Sequence, residues 1–194
     1  LLITNNVLQS VKDTLKSLDG NVFIFCNSTD MIYNLMKQLD LFEESSVFCS
    51  TNSVKKLKND KDVKFKNAYE DWDIKHMKRY NWLTSRFYNA VDIKLDEQPN
   101  VILLSNCYFS IHTIIDPCTD AVQATGRFRN GVSSITHIVN VNPNLRVQSK
   151  EEVRAYIRGL EYVHNFLVKH RDIAPNAEKR SVLQEFIDNS PFNE

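Results

Sequence analysis

Residues 22–29 read Val-Phe-Ile-Phe-Cys-Asn-Ser-Thr, and this stretch decides the fold class. The run over 22–26 is apolar at every position and rich in β-formers, which is typical of a strand buried on both faces of a parallel sheet. Polar residues 27–29 follow as a loop, and apolar residues then recur at helical spacing over 31–39. A similar helical pattern precedes the strand over 5–18. The sequence therefore predicts a helix, a buried strand, a polar loop and a second helix.

Further short apolar runs of the same kind follow along the chain. They are Ser46–Ser50, Tyr80–Thr84, Val101–Ser105 and Ile135–Val141. Between them, a short helix is predicted over 69–78 and a longer one over 120–129. Strands that alternate with helical stretches pair in parallel through right-handed crossovers. The predicted class is α/β, a parallel-sheet three-layer sandwich with its chemistry at the carboxyl ends of the strands.

The pattern changes near residue 145. We expect residues 1–145 to form one domain and residues 146–194 to form a C-terminal helical extension. Ser149-Lys150-Glu151-Glu152 is a capping box ahead of a first amphipathic helix, and Asn176 is placed to cap a second. The simplest expectation is that these helices pack on the sheet. A surface for a protein partner is the alternative.

Composition excludes several classes of protein. The 194 residues carry 24 basic and 24 acidic side chains, so any nucleic-acid contact must come from a local basic patch. The four glycines form neither G-x-x-x-x-G-K nor G-x-G-x-x-G, so the chain has no phosphate loop of its own. The four cysteines lack metal-ligand spacing, so we expect free thiols in the cytoplasm and no metal site. No run is apolar enough to cross a membrane.

A basic patch follows the second predicted strand. Six lysines and two aspartates lie between Lys55 and Lys66, and Lys55 and Lys56 open the patch. Such a patch would give nucleic-acid binding a salt-sensitive component. A solvated lysine-rich loop has the same composition. Both interpretations stay open at the level of sequence.

Residues 116–131 carry the side chains best suited to chemistry. Gln123, Arg127 and Asn130 stand at spacings of four and three, which would place them on one face of the predicted helix. Arginine keeps its charge and offers a planar fork of donors that matches phosphate oxygens. Taken alone, the pattern is more typical of an ordinary surface helix.

Three segments together resemble the C-terminal RecA-like domain of superfamily 2 helicases and translocases. Val22–Ser28 is similar to motif IV, Thr84–Ile93 to motif V and Gln123–Arg129 to motif VI. They stand in the family's order and at its approximate spacing. The resemblance covers roughly residues 5–142. The sequence differs from the family pattern at two positions. Motif V has glycine where this sequence has Ala90, and the last arginine of motif VI would fall at Asn130, one residue after Arg129.

The resemblance implies an ATP site shared between two RecA-like domains. ATP and Mg²⁺ would be held mainly by an N-terminal RecA-like domain of the same polypeptide and not by this chain alone. The sequence opens without Met, which agrees with a piece of a longer protein. By similarity, Arg127 is the primary arginine finger and Arg129 the secondary one, with Gln123 beside them. Asp92 and Gln123 are implied to link the nucleotide state to domain closure, and Asn130 is implied to share in this ATP coupling.

The resemblance also implies that loops at the strand ends grip a DNA or RNA backbone. Hydroxyls, amides and backbone N–H groups bind phosphates without reading bases. The predicted contacts are Asn27, Ser28, Ser50, Thr51, Lys55, Lys56, Thr84, Ser85 and Arg86. Thr29 belongs to the same loop, although a helix N-cap would explain it equally.

Three hypotheses follow. The first is the C-terminal half of the motor core of an ATP-dependent helicase or translocase, in which the fragment alone is inactive. The second is a degenerate RecA-like module that binds nucleic acid or protein without hydrolysis, which Ala90 and Asn130 make plausible. The third is an unrelated doubly wound enzyme of nucleotide sugars or phosphosugars, which requires a site complete within this chain. The sequence does not distinguish DNA from RNA.

Overall fold

Seven strands form one sheet, and every pair of neighbours in it is parallel. They are β1 (Leu2–Thr4), β2 (Val22–Phe25), β3 (Ser45–Phe48), β4 (Ala68–Tyr69), β5 (Tyr80–Leu83), β6 (Asn100–Asn106) and β7 (Ser134–Asn140). Their spatial order is β1-β7-β6-β2-β5-β3-β4. The computed structural model describes residues 1–61, 63–89, 91–108, 110–141 and 148–190. The predicted parallel α/β class is confirmed.

The helices connect these strands or follow the last of them. They are α1 (Val7–Ser17), α2 (Thr29–Leu39), α3 (Thr51–Lys55), α4 (Asp120–Thr125), α5 (Lys150–Asp172) and α6 (Ala177–Asp188). A π-helical turn over Lys56–Asp60 continues α3, and short 3-10 turns lie at Ile74–His76, Ser85–Phe87 and Ile111–Thr113. None of the helices that the structure describes is long and apolar enough to span a membrane.

Alternation along the buried strands supplies a core on each face of the sheet. On one face, Val22 and Ile24 pack in a cluster with residues of α1 and α2. On the other, Phe23 and Phe25 pack with Phe128, which meets the Phe23 ring edge-on at 4.9 Å between centroids. Because successive side chains of a strand point to opposite faces, a wholly apolar strand needs cover on both sides. This explains why Val22–Phe25 is apolar at every position.

The strand register brings three polar loops to one edge. Phe25 of β2 pairs with Leu83 of β5, and Leu83 pairs with Phe48 of β3, so these three strands end level with one another. The backbone ladder continues one residue further, because the Cys26 N–H donates to the Leu83 carbonyl at 2.9 Å. The loops that follow β2, β3 and β5 therefore leave the sheet side by side.

The chain divides into two compact units, Leu1–Asn144 and Leu145–Glu194. In the second unit, α5 begins at the predicted capping box of Ser149 and Glu152, and Asn176 caps α6 by accepting from the Lys179 N–H at 3.0 Å. Helices α5 and α6 contact each other. The predicted boundary at residue 145 lies within 142–147, outside the described residues, and packing of the extension on the sheet stays a prediction.

Several predicted elements were wrong or incomplete. The helix predicted over 69–78 is instead the end of strand β4 and a single 3-10 turn, because Tyr69 pairs with Phe48 at the edge of the sheet. The helix predicted over 120–129 ends at Thr125. The short edge strands β1 and β4 were not predicted, since two or three residues carry too little periodicity. Ser28, rather than Thr29, is the N-cap of α2 and accepts from the Met31 N–H at 3.3 Å.

Candidate functional site

A polar cavity of about 300 Å³ lies at the carboxyl ends of β2, β3 and β5, and we call it the edge cavity. Its lining includes six of the residues predicted to contact a nucleic-acid backbone, which are Asn27, Ser28, Ser50, Thr84, Ser85 and Arg86. Thr29, from the same loop as Asn27, also lines it. Asp30, Ser53 and His112 complete its lining. Thr51, Lys55 and Lys56 do not line it. The register of the strands explains this arrangement, because the loops after three level strands share one edge.

The beginning of α2 forms one wall of the edge cavity. Ser28 caps the helix, so the backbone N–H groups of its first turn point toward the cavity end of the helix. Helix N-termini carry partial positive charge and attract anions such as phosphate. The arrangement therefore provides donors suited to a phosphate oxygen without any glycine-rich loop.

Asp30 in the first turn of α2 is neutralised by two lysines of the basic patch. Lys56 Nζ lies 2.7 Å from Asp30 Oδ2, and Lys61 also forms an ion pair with this carboxylate. These two contacts hold the pKa of Asp30 below its ordinary value. The lysines thus offset, with their own positive charge, a carboxylate that would otherwise repel a phosphate at the helix terminus. Part of the predicted basic patch is therefore engaged within the chain, and Asp62 of that patch lies outside the described residues.

Asn27 connects two loops of the edge cavity. Its Nδ2 donates to the His112 carbonyl at 2.9 Å, and its Oδ1 accepts from the Ser85 hydroxyl at 2.7 Å. Both ends of the amide are thus used to hold the loop after β5 against the 111–113 turn. Asn27 orients the cavity wall rather than presenting a free amide to it.

Arg86 supplies the cationic group of the edge cavity. Its Nη2 lies 3.2 Å from Asp71 Oδ1, and the two side chains are 45% and 88% exposed. An exposed ion pair of this kind is weak, so the guanidinium can exchange Asp71 for a phosphate at little cost. On the adjoining loop, the Thr51 hydroxyl donates to Glu70 Oε2 at 2.9 Å. Lys55 is exposed at the end of α3.

The segments similar to motifs V and VI pair with each other through one parallel bridge, Ile93 to Phe128. The Ile93 N–H donates to the Arg127 carbonyl at 2.8 Å, and the Arg129 N–H donates to the Ile93 carbonyl at 3.0 Å. Phe128 is buried against Phe23 and Phe25. The two arginines therefore flank a side chain that is anchored in the core. We call Asp92, Gln123, Arg127, Arg129 and Asn130 the arginine cluster.

Both guanidinium groups of the arginine cluster have partners within the chain. Arg129 Nη2 lies 2.5 Å from Asp92 Oδ1, and this contact holds the pKa of Asp92 below its ordinary value. Arg127 donates from Nε to the Gln123 carbonyl at 3.1 Å and from Nη1 to the Asn89 carbonyl at 3.3 Å. Arg129 is exposed and Arg127 partly exposed, so neither guanidinium is buried in the core.

The common helical face predicted for Gln123, Arg127 and Asn130 is wrong, because α4 ends before Arg127. Arg127 reaches back to the backbone of Gln123, whose own side chain is exposed. Asn130 Nδ2 donates to the Leu95 carbonyl at 2.7 Å and so fixes the loop beyond the bridge. Ala90, which stands where the motif V that this segment resembles has glycine, lies outside the described residues.

Three residues that line the edge cavity, Asp30, Ser53 and His112, were not predicted from the sequence. His112 contributes through its backbone carbonyl, so its side-chain type carries no signal. Asp30 was visible beside Thr29, but its lysine partners lie 26 and 31 residues further along the chain. Within the described residues, no group of three or more His, Cys, Asp or Glu is placed to hold a metal ion.

Comparison with protein-family models and with curated proteins found no match to this chain. No family assignment therefore comes from similarity to known proteins. The function is inferred from the edge cavity and the arginine cluster.

Proposed function

We propose that this chain is the C-terminal half of the motor core of an ATP-dependent helicase or translocase. In this proposal the edge cavity contacts the sugar-phosphate backbone of DNA or RNA. The arginine cluster faces the triphosphate of an ATP molecule that a neighbouring RecA-like domain carries with Mg²⁺. The RecA-like assignment of the parallel sheet belongs to the same proposal.

One observation carries the proposal more than any other. Two segments whose sequences resemble motifs V and VI are paired through the Ile93–Phe128 bridge, and Asp92 and Arg129 are in contact across it. Nothing in the spacing of two distant segments requires them to meet. A motor domain needs this proximity, because the resemblance assigns nucleic-acid contacts to Thr84, Ser85 and Arg86 of the first segment and the nucleotide to the arginines of the second.

In this proposal the arginines act electrostatically, by stabilising negative charge on the phosphate. A guanidinium aimed at the γ-phosphate offsets the charge that develops in the transition state, an effect of roughly 10³ to 10⁵ in rate. This corresponds to about 4 to 7 kcal/mol of activation free energy. Because Arg127 and Arg129 are held by carbonyls and by Asp92, closure of the neighbouring domain must exchange these partners for phosphate oxygens.

The test uses the complete polypeptide that carries this chain. Arg127→Ala is expected to lower ATP turnover by roughly 10³ or more while leaving ATP binding largely intact, since the finger acts in the transition state. Arg154→Ala, which removes an exposed arginine from α5, is the matched control. Turnover that survives in both Arg127→Ala and Arg129→Ala would refute the assignment of the arginine cluster.

A second function is favoured by the internal contacts of the same residues. Arg129 is paired with Asp92 and Arg127 is bound to two carbonyls, which is the arrangement expected of a module that binds nucleic acid without hydrolysis. That module would keep nucleic-acid affinity in the edge cavity and show no ATP turnover in the complete polypeptide. Measurement of ATPase activity with and without nucleic acid distinguishes the two functions.

A further inference from the structure

A second and larger cavity of about 550 Å³ lies over the face of β6 and β7, and we call it the sheet-face cavity. It shares no lining residue with the edge cavity. Leu103 of β6, Ile135 and Val139 of β7 and Val122 of α4 give it apolar walls, and no lining side chain carries a carboxylate, ammonium or guanidinium group. Binding sites for small molecules have this size and this mainly apolar lining, with a few placed polar groups.

The polar groups of the sheet-face cavity are Ser105 and His137. Ser105 Oγ accepts from the Ile115 N–H at 2.9 Å and lies 3.0 Å from His137 Nε2. Burial and, to a smaller extent, the positive charge of the N-terminal amine lower the pKa of His137, so the imidazole is neutral at pH 7. Ser105 is 1% exposed, and no other acceptor for its hydroxyl proton lies within hydrogen-bond distance in the described part of the chain, so we assign Nε2 as the acceptor of that proton. The imidazole proton is then assigned to Nδ1, which has no hydrogen-bond partner within the part of the chain that the structure describes.

We propose that the sheet-face cavity binds a small, uncharged and mainly apolar molecule with one hydrogen-bond acceptor, such as a carbonyl oxygen, which accepts the proton on His137 Nδ1. The volume admits a molecule of one or two fused rings. A charged ligand is disfavoured, because it would lose hydration among lining side chains that offer no opposite charge. This site is independent of the proposed motor function.

The first experiment is a fluorescence titration of the chain with 6-propionyl-2-dimethylaminonaphthalene, a neutral ketone whose emission moves to shorter wavelength in apolar surroundings. The amide of His137→Gln reaches the Nε2 position and keeps an acceptor for Ser105, but it places nothing at Nδ1. The amide of His137→Asn places an N–H at the Nδ1 position instead. We expect Gln to weaken binding about fivefold, the equivalent of one hydrogen bond of ~1 kcal/mol, and Asn to retain affinity.

The second experiment fills the cavity without disturbing the core. Ile135 lines the sheet-face cavity and is 53% exposed, whereas Ile74 is 55% exposed and lies outside it. Ile135→Trp is expected to abolish the emission shift and Ile74→Trp to leave it unchanged. Equal binding by the two tryptophan variants would overturn the proposal. So would unchanged affinity in His137→Gln, or a titration of the unmodified chain that never saturates.

Discussion

Phe128 anchors the arginine cluster to the core. Its replacement tests how much this anchor contributes to the free energy of unfolding. The side chain is 5% exposed and meets Phe23 and Phe25 with ring centroids at 4.9 and 6.3 Å, both edge-on. A phenylalanine buries about 200 Å², and burial contributes about 25 cal/mol per Å², which sets an upper limit near 5 kcal/mol. Truncation of a buried phenylalanine to alanine costs about 3 to 5 kcal/mol, so we expect Phe128→Ala to cost about 4 kcal/mol.

The assay is urea unfolding followed by tryptophan fluorescence. Both tryptophans, Trp72 and Trp82, belong to the first unit, so the signal reports on the sheet and not on α5 and α6. Phe128→Leu keeps most of the volume and loses the aromatic contacts, and we expect it to cost about 1 kcal/mol. Val122→Ala in α4 removes a side chain that is 61% exposed and is expected to change stability by less than about 0.5 kcal/mol.

Phe128 does not hold the arginine cluster if Phe128→Ala unfolds at nearly the same urea midpoint as Val122→Ala. In that event the bridge between Ile93 and Phe128 would not be anchored by the core. The positions of Arg127 and Arg129 would then depend on their polar contacts alone.

Three other predictions concern charge and thiol chemistry. Arg86→Ala should weaken binding of the chain to a mixed-sequence oligonucleotide and reduce the slope of log affinity against log salt by about 0.7 to 0.9, whereas Arg86→Lys should keep the slope. Lys56 and Lys61 depress the pKa of Asp30, so the ionised carboxylate should stabilise the fold above its ordinary pKa of about 3.8. This stabilisation should be lost as the pH falls below that value. Acid unfolding of Asp30→Asn, followed by tryptophan fluorescence, should lack this pH-dependent loss of stability. Burial raises the pKa of Cys26 and of Cys49 to about 12, so iodoacetamide at pH 8 should alkylate the exposed Cys118 and spare both, as judged by peptide mass spectrometry.

Much of the fold was open to prediction, because buried parallel strands leave a strong local signal. Val22–Phe25, Tyr80–Leu83 and Asn100–Asn106 are short runs with little or no exposure, and their apolar composition identifies them. The edge strands β1 and β4 were not predicted, because they have three and two residues and an edge strand need not be apolar at every position. The early end of α4 also escaped, since the chain leaves the helix to pair Phe128 with Ile93.

The candidate site was predictable as a set of residue types and not as a set of partners. Polar residues after Phe25, Phe48 and Leu83 could be assigned to one edge, because parallel strands that end level must release their loops together. The partners of Asp30 and Asp92 were not predictable. An ion pair between residues 26 to 37 positions apart leaves no periodic trace in the chain.

The amino-acid sequence by itself determined the buried strands, the polar loops that follow them and the lack of a phosphate-loop motif among its four glycines. These properties are local. A strand buried on both faces is apolar at consecutive positions, and a phosphate loop requires glycines at fixed short spacings. Tertiary structure alone decided that the Ser105 hydroxyl meets His137 across neighbouring strands and that Arg129 meets Asp92 across the bridge. Such contacts depend on strand order and register, which are fixed only when the strands pair and a core packs on each face of the sheet.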